Sequence, residues 1–143
     1  APCMLTTFQQ VDKGTSGAIS VVGTLFAAAG AFLIALLSIV PWQGGFGNPN
    51  FIQILLRLVL VTFAGLFGSL VDSLLGATIQ AIYSCPACKK ETERHPLHTC
   101  GEPTVLVRGW HWLNNDWVNF FCGLSAALVA ALLCWVTPNW FGI

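Results

Sequence analysis

The sequence predicts an all-α integral membrane protein with three transmembrane helices, the middle one long or bent, and a short zinc-knuckle-like loop. Three observations lead there. Of 143 residues only 8% are charged and 55% are hydrophobic, where an ordinary soluble chain carries roughly 25% charged residues. Mean hydropathy is +0.73, too apolar for intrinsic disorder. The charges are also segregated. Between Gly14 and Cys88 the only acids and bases are Arg57 and Asp72, and Trp117–Ile143 has none. Six Lys+Arg balance six Asp+Glu, so the basic excess of a nucleic-acid binder is missing and the expected partner is the lipid bilayer.

The first expected span is Ala18–Val40, 23 uncharged residues closed by Pro41. At ~1.5 Å per residue it crosses a ~30 Å hydrocarbon core. It is too long for a cleaved signal peptide, and other spans follow it. The last span is Trp117–Val136, 20 residues closed by Pro138. Between them Phe51–Tyr83 runs for 33 residues and is expected to cross once; a break at Gly65–Gly68 would leave two crossings of only ~16 residues. Gln43–Asn50 is a Gly/Pro/Asn turn, which makes the first two spans antiparallel neighbours. Small residues recur every four positions at Gly23, Ala27, Ala31 and Ala35, and again at Gly123, Ala127 and Ala131. That spacing predicts close helix packing in lipid. The chain thus divides into residues 1–83 with the first two helices, a polar Cys/His loop at 84–109, and an amphipathic lead-in with the last helix at 110–143.

A single middle crossing gathers Lys13–Gly17, Gly68–Ala77 and Asn114–Asn119 at one face. Lys13, Lys89, Lys90, Arg94 and Arg108 lie there too, five of the six basic residues, so the face is expected to be cytoplasmic or its stromal or matrix equivalent. On a helix, Gln53, Arg57, Gly68 and Asp72 share a stripe with Ala64 and Gly65 beside it. Arg57 and Asp72 are about 22 Å apart along the axis and cannot pair within one straight helix. A structural role is expected for Arg57. Asp72, among Ser69 and Ser73 near the membrane boundary, offers a carboxylate and hydroxyls with room for a metal–phosphate.

The other polar motifs each carry two accounts. Lys13, Gly14, Thr15, Ser16 and Gly17 combine a cation, hydroxyls and free N–H groups at the mouth of a helix, which suits an anion; a helix cap at Thr15 or Ser16 explains the same residues. Asn115, Asp116 and Asn119 supply hard oxygen donors, with Asp116 and Asn119 on one face, as Mg²⁺ requires beside substrate phosphates. Capping explains these too. Cys85-Pro-Ala-Cys88 is half a zinc site, and His98 with Cys100 completes a Cys₃His set. His95 competes for the fourth place. A Cys85–Cys88 disulfide is the alternative, at odds with a reducing face.

Lys-Gly-Thr-Ser-Gly at 13–17, Gly-Ser-Leu-Val-Asp-Ser-Leu-Leu-Gly-Ala-Thr at 68–78 and Asn-Asn-Asp-Trp-Val-Asn at 114–119 stand in the order of the transmembrane protein 19 family. The chain resembles the C-terminal half of that family, also called domain of unknown function 92, which includes phytyl-phosphate kinases. The resemblance implies a lipid phosphotransferase that makes an isoprenoid diphosphate from a prenyl (phytyl) monophosphate with a nucleoside triphosphate and Mg²⁺. On physical grounds Asp72, Asn115, Asp116 and Asn119 would serve the metal; Lys13–Gly17, Ser69 and Ser73 would serve the phosphates, beside a structural zinc. Family members also carry an upstream motif with Asp, Ser and Glu that Ala1–Asp12 does not match. If nothing precedes Ala1 in the working protein, either catalysis is lost or a second chain or a homo-oligomer completes the site. The alternative reading is a non-catalytic structural or accessory subunit of a larger membrane complex.

Overall fold

The computed structural model describes residues 1–39 and 50–137; the Gln43–Pro49 part of the expected turn, and the prolines closing the outer spans, lie outside them. Eight elements follow in order: β1 (Cys3–Met4), β2 (Ala18–Ile19), α1 (Val21–Leu37), α2 (Phe51–Thr78), β3 (Ile82–Cys85), β4 (Lys90–Thr92), β5 (Val105–Arg108) and α3 (Asn115–Val136). The fold is mostly helical rather than all-α, because the expected Cys/His loop is built on strands. The chain forms two compact units interleaved in sequence, one of Ser20–Val71 and Cys122–Ile143, the other of Ala1–Ile19 and Asp72–Phe121.

The first unit is helical. α2 has 28 residues and α3 has 22, both apolar enough to cross a membrane. Only 17% and 6% of their most apolar windows are buried, so neither is the core helix of a soluble fold. Instead Leu55, Val59, Phe63, Leu124, Leu128 and Leu132 all point outward, an arrangement that lipid stabilises and water does not. α2 runs unbroken through Gly65–Gly68, as one crossing requires. α1 is shorter than expected at 17 residues. Ala18 and Ile19 pair with β1 instead, and extended Ser20 caps the helix by accepting the Gly23 N–H at 3.1 Å.

Small residues set the helix contacts, but not all the expected ones. A Cβ on Gly65 would lie 2.7 Å from the Ala31 Cβ, and one on Gly68 would lie 2.8 Å from the Cys122 carbonyl oxygen and 3.0 Å from the Ala126 Cβ. Ala35 of α1 is fully buried. In α3 the expected stripe fails: Gly123, Ala127 and Ala131 are exposed, and a Cβ on Gly123 would meet nothing within 4 Å. The packed side of α3 runs one residue earlier, through Cys122 and Ala126. Arg57 is 7% exposed, on the same α2 stripe as buried Ala64 and Gly68.

The second unit holds the strands. β3 is central in a three-stranded antiparallel sheet, with β4 on one side and β5 on the other. α2 ends at Thr78, five residues before the expected Tyr83, because Ile82 and Tyr83 are taken into that sheet. The Ala81 N–H donates to the Leu113 carbonyl at 2.8 Å, and the Trp110 N–H to that of Ile79 at 2.9 Å. These bonds tie the end of α2 to the approach to α3. The core of the unit is Ala81, Ile82, Tyr83, Cys85, Leu113 and Val118.

Candidate functional site

The Lys13–Gly17 segment is a turn, not a helix terminus. Gly14 and Gly17 have φ of +90° and +79°, in the region that favours glycine, and β2 follows directly. The cap expected of Thr15 or Ser16 belongs to Ser20. Thr15 Oγ1 donates to the Asp12 carbonyl at 2.9 Å, closing the turn on itself. Ser16 Oγ donates to Gln80 Oε1 at 2.7 Å. Gly17 lies against α2: a Cβ there would overlap the Ala77 backbone, and one on Gly76 would fall 2.8 Å from the Gly17 nitrogen. Arg108 completes the clasp, donating to the Ala77 carbonyl at 3.0 Å and to that of Ser16 at 3.3 Å. The first two motifs therefore do meet, backbone against backbone.

Lys13, Gly14, Thr15 and Ser16 line an open cleft of about 1240 Å³ whose other wall is Lys89–Arg94. Four cations (Lys13, Lys89, Lys90, Arg94) face it together with Asp12, Glu91 and Glu93. A smaller cleft of about 440 Å³ is lined by Asn114, Asn115, Asp116, Tyr83, His95 and His111, and Glu93 and Arg94 border both. Asn114 caps α3 by accepting the Trp117 N–H at 3.1 Å, which leaves Asn115 and Asp116 exposed beside it.

Four ligand atoms from Cys85, Cys88, His98 and Cys100 lie within 4.8 Å of one another. Cys85 Sγ and Cys88 Sγ are each 3.5 Å from Cys100 Sγ, and His98 Nδ1 is 3.1 Å from Cys100 Sγ and 3.5 Å from Cys88 Sγ. A tetrahedral zinc separates such atoms by roughly 3.5–3.8 Å, so the residues fit a metal ion. All three cysteines are free, as ligation requires and the alternative disulfide does not. His95 is not the fourth donor: its ring stacks on Tyr83 at 4.5 Å and 14°. Hydrogen bonding from His98 above all pulls the Cys100 thiol down to about 6. Bonds to Cys100, then Cys85, push Cys88 up to about 11.

Residues 1–127 match the family described as integral membrane protein DUF92. The chain belongs to that family. Among its relatives, Protein PGR of Arabidopsis thaliana is 31% identical over 133 residues, 92% of this chain and 44% of the plant protein. An uncharacterized membrane protein of Methanocaldococcus jannaschii is 44% identical over 80 residues, 55% of this chain and 29% of the relative. One from a Synechocystis strain is 32% identical over 77 residues, 54% and 26%. The chain spans less than half the length of each of these relatives. No solved structure matches it.

In this DUF92 chain, the second unit brings together most of the residues singled out by sequence. Lys13–Ser16 line the larger cleft and Asn115 and Asp116 the smaller; Asp72 and Ser73 belong to the same unit but line neither cleft. Asn119 lines neither cleft, and Ser69 falls in the helical unit. Gly17 is spent on packing. Sequence reasoning missed Glu93, which borders both clefts, and the buried Gln80, 2% exposed, whose side-chain nitrogen has no partner among the described residues. No local signal marks either: both depend on which strand folds back beside which turn.

Proposed function

We propose that this chain carries the phosphate-handling part of a multi-pass membrane lipid phosphotransferase of the prenyl (phytyl)-phosphate kinase type. The observation that carries the reading is the large cleft, where the Lys13–Ser16 turn faces Lys89, Lys90 and Arg94 in the same unit as Asp72 and Asp116. The γ-phosphoryl of a nucleoside triphosphate passes to a terminal oxygen of the lipid monophosphate, giving an isoprenoid diphosphate and the nucleoside diphosphate. Positioning and charge neutralisation do most of the work in such a transfer. Lys13, Lys89, Lys90 and Arg94 would offset the charge of the phosphates, Asp72 and Asp116 would hold Mg²⁺ to neutralise the transferring group, and the isoprenoid tail would stay in the bilayer. The Cys₃His set holds a structural zinc. By the distribution of basic residues the clefts face the cytoplasm or its organellar equivalent.

A second reading, an accessory subunit, is favoured by one observation: Ser16 and Gly17 are bound up in contacts with Gln80, Ala77 and Arg108. The deciding measurement is transfer of labelled γ-phosphate to phytyl monophosphate by the full-length membrane protein. Asp72→Asn is expected to lower turnover by about 10²–10³, as loss of a charge-stabilising group does, while the protein stays folded. Turnover at the wild-type rate in that variant would end the kinase assignment.

A further inference from the structure

The hairpin that carries half of the Cys₃His set also forms one wall of the basic cleft. Cys85 is paired directly across the hairpin with Lys90. Cys88 immediately precedes Lys89, whose N–H donates to the Cys85 carbonyl at 2.8 Å. Lys89 and Lys90 then enter the lining of the cleft, opposite Lys13. The remaining donors, His98 and Cys100, come from the loop after β4, so one ion would tie the hairpin to that loop. β4 is three residues long and lies at the edge of its sheet. So short an edge strand holds its place weakly without a further constraint. Four cations brought to one cleft, Lys13, Lys89, Lys90 and Arg94, also repel one another, and Asp12, Glu91 and Glu93 offset this only in part.

We infer that a metal held by Cys85, Cys88, His98 and Cys100 positions Lys89 and Lys90 opposite Lys13 and so sets the cleft's grip on polyphosphate. The grip rests on the proposed phosphate-binding role; the positioning does not. The four ligands act as positioning residues, through lysines they do not coordinate.

The chain has three lysines, Lys13, Lys89 and Lys90, so a short amine cross-linker followed by peptide mapping reports the geometry. Full-length protein in nanodiscs is cross-linked zinc-loaded and after chelation, and Lys13–Lys89 and Lys13–Lys90 peptides are quantified by mass spectrometry. Chelation is expected to lower the yield about fivefold, the size of a modest local ordering free energy, and added zinc to restore it. Cys88→Ser should behave like the chelated protein, and Cys88→His, which keeps a donor for zinc, like the wild type. Unchanged yield after zinc loss, or a protein that takes up no zinc, overturns the inference. In parallel, calorimetry follows inorganic tripolyphosphate, expected to bind about tenfold more weakly after chelation or in Lys90→Ala, each at the scale of one charge-assisted contact. Zinc-dependent cross-linking with no tripolyphosphate binding would leave the positioning intact and remove the phosphate role.

Discussion

Gly14 and Gly17 occupy the same turn at positive φ, yet they answer to different demands. Around Gly14 a Cβ meets nothing within 4 Å, so Gly14→Ala should cost only the left-handed backbone penalty, roughly 1–2 kcal/mol. At Gly17 the same methyl would overlap the backbone of Ala77, which adds about 1–3 kcal/mol of overpacking. Thermal unfolding in detergent should rank Gly17→Ala clearly below Gly14→Ala; equal midpoints would refute the close crossing. The cysteines make a second residue-level prediction. In metal-free protein Cys100, drawn to about 6 by its bond from His98, is thiolate above that pH and thiol below it. Alkylation at Cys100 should rise as pH passes through about 6 and then level off. Cys88, raised to about 11, should label slowly at neutral pH. Metal affinity should fall as pH drops through the same window, because protons then compete for the Cys100 sulfur. Peptide mapping of iodoacetamide adducts checks both thiols. The Cys₃His set was legible because ligand spacing is itself a chemical constraint. The clasp of Arg108 on Ser16 and Ala77 was not, since it joins residues 92 positions apart.

At the level of elements, hydrophobic runs located the three helices, and the local chemistry of their ends trimmed them. Asn50 and Gln53 exchange side-chain-to-backbone bonds of 2.9 Å at the start of α2, and Asn114 serves α3. Asn114→Ala should destabilise by about 1 kcal/mol through the lost cap, whereas Asn115→Ala should change stability little; chemical denaturation of the two variants side by side makes the comparison. The α3 packing face shows where periodicity stops. Cys122, Ala126 and Ala130 repeat every four residues just as Gly123, Ala127 and Ala131 do, about 100° further round the helix. Only the approach of Gly68 to the Cys122 carbonyl selects between them. Gly68→Leu should therefore loosen the helical unit and lower its melting temperature, while Gly123→Leu should be tolerated; the opposite order would put the interface on the wrong side.

Across the whole molecule, membrane character follows from composition, and the single crossing of α2 from its unbroken 28 residues. In sealed vesicles, cysteines introduced at Lys13 and Glu91 should react with a membrane-impermeant maleimide from one side, and a cysteine at Asn50 from the other. Labelling of all three from the same side would contradict the single crossing. The sequence alone determined the lipid solvent, the long middle helix and the three cysteine donors of the Cys₃His set, because apolar length and ligand spacing are local properties of the chain. The tertiary structure decided that the turn before α1 ends in a strand rather than a helix cap, which face of α3 packs, and that the Cys85–Arg94 hairpin supplies a wall of the cleft. Those outcomes depend on backbones and side chains far apart in sequence competing for the same contacts, and no periodicity records who wins.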